Sequence, residues 1–296
     1  MPKSVETERV GAVLEWYSTH ARVLPWRRPD CSPWGVLVSE VMLQQTPVAR
    51  VLPAWEAWME RWPTPTDLAA ASQADAVRAW DRLGYPRRAK RLWECAREIV
   101  LRHGGEVPRD TDALLALPGV GEYTAAAVGA FAFGERTVVL DTNVRRLLAR
   151  AWLGRASAAP SLTRAERALA AAVVPEDSAT AALWAVASME LGALVCTARS
   201  PHCEACPLAS SCAWLAAGRP ADAAPSSRTQ AWAGTDRQVR GRILALLREV
   251  PAPVNVSGRA DFEDVEPGQL DRCIESLVAD GLVARADPRR GTYVLA

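Results

Sequence analysis

Cys196, Cys203, Cys206 and Cys212 stand in 17 residues at the spacing C-x6-C-x2-C-x5-C, and nothing else in the 296-residue chain limits its fold as tightly. With Pro201 and Pro207 bending the loop around a common centre, four thiols this close point to a metal site. Two centres accept four thiolates, a tetrahedral zinc ion and a [4Fe-4S] cluster. Zinc ribbons more often carry two C-x2-C pairs and only one is present, which favours the cluster and keeps zinc as the alternative. A disulfide framework is not expected. The opening MPKSVETERV has no long apolar stretch behind its lysine, and nowhere do about 18 apolar residues run together, so neither a signal peptide nor a membrane span is expected. The expected place is the cytoplasm, at the nucleoid in a bacterium, where thiols stay reduced. Cys31, Cys95 and Cys273 read as packing thiols.

The rest of the chain reads as mostly α. Apolar residues recur at helical spacing over 5–20, 33–43, 47–62, 67–71, 73–83, 87–103, 111–116, 123–133, 163–173 and 177–194, with Pro or Gly in the gaps. Thr137 to Leu140 is too short to build a sheet. Length allows two domains, and composition shifts to Ala, Pro, Ser and Gly after the cysteines. The expected division is 1–217, a linker over 218–235, and a small module over 236–296. In that module, helices over 238–250 and 267–280 precede a hairpin over 282–295, the order of a winged helix. Net charge of +1 gives no global sign of a polyanionic partner, although the run from Arg82 to Arg102 holds Arg87, Arg88, Lys90, Arg91 and Arg97.

Two acids stand out among apolar neighbours. Glu40 interrupts Val36-Leu37-Val38 and Val41-Met42-Leu43, where burial would raise its pKa and let it hold a proton near neutral pH. Asp141 follows Val138-Val139-Leu140 and either caps the helix that follows or faces a pocket; a capping Asp can do both. An acid with an anion is what glycosidic bond cleavage requires, one protonating the leaving group and one stabilising an oxocarbenium-like sugar. Leu117-Pro118-Gly119-Val120-Gly121 sits between two expected helices, and its turn would bring exposed amides to a helix start where a phosphate can dock.

The cysteine loop and this turn together resemble the helix-hairpin-helix, iron-sulfur superfamily of endonuclease III, and Ser39-Glu40-Val41-Met42-Leu43-Gln44-Gln45-Thr46 is similar to the catalytic segment of MutY-type adenine DNA glycosylases. The resemblance covers residues 5–217. It implies a two-lobed helical fold, a structural [4Fe-4S] cluster on the four cysteines, and hydrolysis of adenine mispaired with 8-oxoguanine or guanine in double-stranded DNA by a monomeric base excision repair enzyme. By the same resemblance Glu40 protonates adenine, Asp141 stabilises the cation and Asn143 orients the glutamate. Tyr123 stands where bifunctional relatives carry a lysine nucleophile, and a phenol forms no Schiff base, so a monofunctional enzyme is implied. Leu24, Trp26 and Arg27 match the adenine pocket, with Val186 where the family often has Gln or Glu. Gln45 and Tyr85 match an intercalating pair, and the turn Leu117 to Gly121 with Arg87, Arg88 and Arg199 is expected to meet the backbone. About 60 residues follow the linker, too few for the Nudix-like domain many MutY proteins append. Other readings are a thymine or uracil mismatch glycosylase of the same superfamily, and a non-catalytic DNA-binding protein.

Overall fold

A computed structural model describes residues 3–221, 233–257 and 259–296. The linker expected over 218–235 falls largely outside them. The described helices are α1 (Lys3–His20), α2 (Pro33–Leu43), α3 (Val48–Arg61), α4 (Pro65–Ala70), α5 (Gln73–Ala79), α6 (Arg87–His103), α7 (Thr111–Leu115), α8 (Glu122–Phe133), α9 (Thr142–Ala151), α10 (Arg164–Val173), α11 (Ser178–Leu194), α12 (Ala213–Ala216), α13 (Asp236–Glu249) and α14 (Pro267–Ala279). Strands β1 (Val254–Asn255), β2 (Val283–Asp287) and β3 (Thr292–Leu295) form an antiparallel sheet in the order β1-β3-β2. No described helix is long and apolar enough to cross a membrane.

Most helix starts follow from local chemistry. Thr64 and Thr163 close reciprocal capping boxes with Asp67 and Glu166. Asp110, Asp141, Asp177 and Thr235 each accept a backbone N–H of the first turn they precede. Helix α9 is not among the helices expected from periodicity, and the expected helix over 73–83 breaks after Ala79 into a short 3-10 turn over Asp81–Leu83. That break precedes Gly84 at φ +79°.

The chain divides into two compact units. The first comprises Met1–Leu37, Arg109–Ala116 and Val120–Pro225; the second comprises Val38–Pro108, Leu117–Gly119 and Ser226–Ala296. In the first unit α11 is central, packed by α1, α8 and α9, with Val13, Trp16, Leu147, Trp184 and Leu191 in its core. Trp152 meets Trp184 edge to face at 6.3 Å. In the second unit α4 packs on α6, and Trp58 contacts Trp62 and Trp80 edge to face at 4.7 and 5.6 Å.

The described residues from 233 onward belong to the second unit, where β3 packs on α5 and Asp280 is held by side chains of α6. Helix α13, strand β1, a 3-10 turn, helix α14 and the β2–β3 hairpin follow one another there. Gln73 donates to the carbonyls of Gly281 and Ala296 at 2.6 and 3.1 Å. Arg78 Nε donates to the Arg248 carbonyl and Arg248 Nε to the Val77 carbonyl. Asp280 accepts from Arg87 and Arg240, and its carbonyl accepts from Lys90.

Candidate active site and cluster loop

Asp141 is held from two sides. As N-cap of α9 it accepts the Val144 N–H through Oδ1 at 2.7 Å, while Oδ2 accepts from Asn143 Nδ2 at 2.6 Å. Asn143 Oδ1 in turn accepts from Arg146 Nη2 at 2.7 Å. The same guanidinium donates to the Gly192 carbonyl at 2.6 Å and, through Nε, to the Cys196 carbonyl at 2.7 Å. A continuous hydrogen-bonded path therefore joins the Asp141 carboxylate to the first cysteine of the loop. Helix α11 comes close enough to complete it because residue 192 has no side chain: a Cβ there would lie 2.7 Å from the Asn143 carbonyl oxygen and 2.8 Å from its Cβ. Burial pushes the Asp141 carboxyl above the ordinary aspartate value, opposed by the Val144 amide and the Asn143 side chain. Burial pulls Arg146 down.

Glu40 is 5% exposed, on α2 among Leu37, Val38, Val41 and Met42, all buried. Tyr123 lies in the first turn of α8 and packs on the small apolar cluster of Ala127, Ala130, Val139 and Ala185.

Among the residues matched to a base pocket, Leu24 and Trp26 are buried, and Val186 is half-buried on α11 one turn before Glu190. Glu190 is the group that sequence reasoning missed there. Its carboxylate accepts from Arg22 N at 3.1 Å, Arg22 Nε at 2.7 Å, Arg22 Nη2 at 2.6 Å and Arg27 Nη2 at 2.8 Å. Burial alone would raise its pKa, but these bonds hold it at about 2. One face of Arg27 is thus committed to an ion pair, while its buried Nη1 has no hydrogen-bond partner among the described residues.

The residues expected to meet DNA divide sharply. Gln45 and Tyr85 both adopt left-handed backbone, at φ +54° and +48°, and both are exposed. Such geometry costs a non-glycine residue about 1–3 kcal/mol and persists only where the surroundings impose it. Flanking both is Arg88, expected to meet phosphate, whose guanidinium is engaged by the protein's own acceptors. Its Nη1 donates to the carbonyls of Val41, Met42 and Gln44 at 2.9, 3.0 and 2.7 Å; its Nη2 donates to Thr46 Oγ1, Leu83 O and Gly84 O at 3.0, 3.2 and 3.1 Å. Desolvation lowers it to about 10. The guanidinium thus staples the end of α2 to the turn before α6, and no donor on its two terminal nitrogens lacks a protein acceptor nearby. Arg87 likewise pairs with Asp280. Arg199 is exposed in the loop between Cys196 and Cys203. In the turn after α7, Leu117 and Val120 are buried and Gly119 stands at φ +81°, where a Cβ would meet Arg91 Cβ at 2.8 Å. Both conformation and space therefore require glycine there, and Gly121 is the N-cap of α8.

The four cysteines converge on one small pocket, bordered also by Leu147, Arg150, Leu208 and Trp214. Arg150 is 4% exposed; it donates to Cys196 Sγ at 3.5 Å and to the Thr197 and Ala198 carbonyls at 2.7 and 3.0 Å, and lies 4.7 Å above the Trp214 ring. Burial pushes the Cys206 thiol up to about 11, and raises Cys196 against the opposing Arg150 charge. Among the described residues no trio of His, Cys, Asp or Glu is grouped around a single metal ion. Four thiols lining one pocket, with a cation beside one sulfur, fit a sulfur-ligated centre that carries net negative charge.

Residues 38–172 match the model of the HhH-GPD superfamily of base excision DNA repair proteins, and residues 196–212 match that of the iron-sulfur binding domain of endonuclease III. An adenine DNA glycosylase of Mycobacterium tuberculosis is 54% identical over 277 residues, 92% of this chain and 89% of the relative. The chain belongs to the adenine DNA glycosylase family. The family enzyme of Mycolicibacterium smegmatis is 53% identical, over 94% of this chain and 93% of its own. Both matches are too long to end at residue 217, so likeness to adenine DNA glycosylases runs into the C-terminal module, beyond the limit expected from motifs alone. Against the human adenine DNA glycosylase, identity is 44% over 68% of this chain but only 38% of the human one. Among solved structures, a thermostable thymine-DNA glycosylase superposes with a TM-score of 0.64 at 28% identity, over 72% of this chain and 99% of that one. A trapped endonuclease III–DNA covalent intermediate gives 0.63 at 24% identity, over 74% and 100%. As in the family, the cofactor is a [4Fe-4S] cluster, which Cys196, Cys203, Cys206 and Cys212 would hold.

Proposed function

We propose that this protein is a monofunctional DNA glycosylase that hydrolyses the N-glycosidic bond of adenine mispaired with 8-oxoguanine or guanine in duplex DNA. The observation that carries the proposal is 54% identity to an adenine DNA glycosylase over 92% of the chain. Glu40, buried on α2, delivers the proton that the leaving base needs. Asp141 stabilises the cationic sugar. Its carboxylate carries a desolvation penalty as an anion in the free protein, and a positive charge developing nearby relieves that penalty, so the interaction is stronger in the transition state than before it. Asn143 and Arg146 hold the carboxylate in place. Tyr123 offers no amine for a Schiff base, so a strand nick does not accompany base release. Gln45 and Tyr85 enter the stack when the base is extruded, and their left-handed backbone geometry keeps them presented. The cluster is structural here: it fixes the loop whose Cys196 carbonyl anchors Arg146.

Single-turnover base release from A:8-oxoG, A:G, T:G and U:G duplexes tests this. Adenine release from the first two is the expected outcome, and release of thymine alone would assign the chain to the mismatch thymine glycosylases, whose fold it also shares. Glu40→Gln is expected to reduce the excision rate by at least about 100-fold with duplex affinity within about threefold.

A further inference from the structure

Helix α13 opens with Thr235 as N-cap, and its second residue, Arg237, places its guanidinium carbon 4.7 Å from the centre of the Tyr85 ring. The Arg88 guanidinium carbon lies 5.6 Å from the same ring. Tyr85 is 43% exposed, a non-glycine residue in left-handed backbone at the mouth of a basic helix. The local cation, Arg88, is the more distant of the two and spends its terminal nitrogens on backbone carbonyls, those of Leu83 and Gly84 among them, whereas the nearer one comes from a segment more than 150 residues later. That segment is itself anchored beside the turn, with Asp280 accepting from Arg87 of α6 and Arg240 of α13.

The rest of the module offers little that suits a duplex. On α14, Arg272 is paired with Asp236 and Glu275 with Arg285; Arg242 is paired with Asp264. The α14 helix and the turn before it carry Glu263, Asp264, Glu266, Asp271 and Glu275. This segment is richer in acids than in free cations, which does not favour phosphate, so the helix that a DNA-reading winged helix would insert is poorly suited to that task.

We infer that the C-terminal module acts as a prop for the DNA wedge, with Arg237 a positioning residue that holds the Tyr85 ring by a cation–π contact. This rests on the reading of Tyr85 as a residue that enters the base stack. A ring held before contact loses less conformational freedom on insertion, so removing Arg237 weakens insertion without touching the chemical step.

The test uses the full chain and a duplex carrying a non-hydrolysable 2′-fluoro adenosine opposite 8-oxoguanine, with 2-aminopurine beside the lesion to report unstacking. Wild type, Arg237→Ala, Arg237→Lys, Tyr85→Ala and the double variant Tyr85→Ala with Arg237→Ala are compared. Arg237→Ala is expected to lower affinity and the fluorescence rise by roughly three- to tenfold, with Arg237→Lys recovering part of both. The double variant is expected to match Tyr85→Ala alone, because Arg237 acts through the ring. Wild-type fluorescence in Arg237→Ala, or losses that multiply in the double variant, overturns the inference. Equal losses on Arg289→Ala, at the hairpin tip far along the chain, would also overturn it, by making the module a general phosphate contact. The readout needs no bond cleavage, so it stands apart from failure of wild type to release adenine.

Discussion

Each of the two units builds its proposed functional residues around a half-buried arginine, and the two arginines are used differently. Arg146 in the first unit bonds outward from α9 to α11 and to the start of the cysteine loop, tying one carboxylate to both. Arg88 in the second unit bonds inward to six acceptors on two adjoining turns and leaves the side chains of Gln45 and Tyr85 projecting. The first arrangement fixes a side chain and depends on a cofactor loop; the second fixes backbone and depends on no metal. Rigidity at an acid and presentation at a wedge are therefore separate properties of the molecule, each open to damage without the other.

Removing the cluster is the harshest way to break this comparison. Cys203→Ser is expected to abolish visible cluster absorbance and to lower adenine excision more than about 100-fold. Hydrogen exchange should then show lost protection in α9 and in 196–212, with α6 still protected. Equal loss in both regions would mean that the units are not independently stabilised. Next in size, Arg146→Met should reduce the single-turnover rate by about 10- to 100-fold with cluster absorbance intact. Retained activity would show that the path from Cys196 to Asp141 holds nothing essential. Arg88→Met leaves six acceptors without their donor, and is expected to cost about 2–4 kcal/mol of stability in thermal melts. Its affinity for duplex should fall more than its rate on saturating DNA. The smallest effect is at Asp280. Burial raises that carboxyl, but the bonds from Arg87 and Arg240 outweigh it and hold it below the ordinary value. Its stabilising contribution is therefore present above the ordinary aspartate range and lost as pH falls through and below it. Asp280→Asn should flatten the acid side of the melting profile, a change of about 1–3 °C.

Much of this was legible in sequence where the cause is local. The boundaries of α2 and α6 follow from Pro33 at one start and from Gly104 in left-handed backbone at the other end. Asp141 is legible as a cap because Thr142-Asn143-Val144 offers the amide it needs. Three things were hidden for one physical reason: an arginine in a sequence does not reveal whether water or carbonyl oxygens surround it. Helix α9 carries Arg145, Arg146 and Arg150 in ten residues, a composition that suggests a solvated face, yet Arg150 is almost wholly buried against the cysteine loop. Arg88 was read as a phosphate contact for the same reason. Glu190 pairs with Arg22 and Arg27 from more than 160 residues away, and no spacing rule spans that distance.

The close approach at Gly192 bears on how changes in this chain should be interpreted. A single added methyl group there would press against the backbone of Asn143, 49 residues earlier, and displace the residue that steadies Asp141. Inspection of the acids, the cysteines or the hairpin would pass over such a change as a conservative alteration in the middle of a helix. A variant that keeps every recognisable motif can thus be inactive, and position 192 is where a survey of this enzyme's natural variation should look for that outcome.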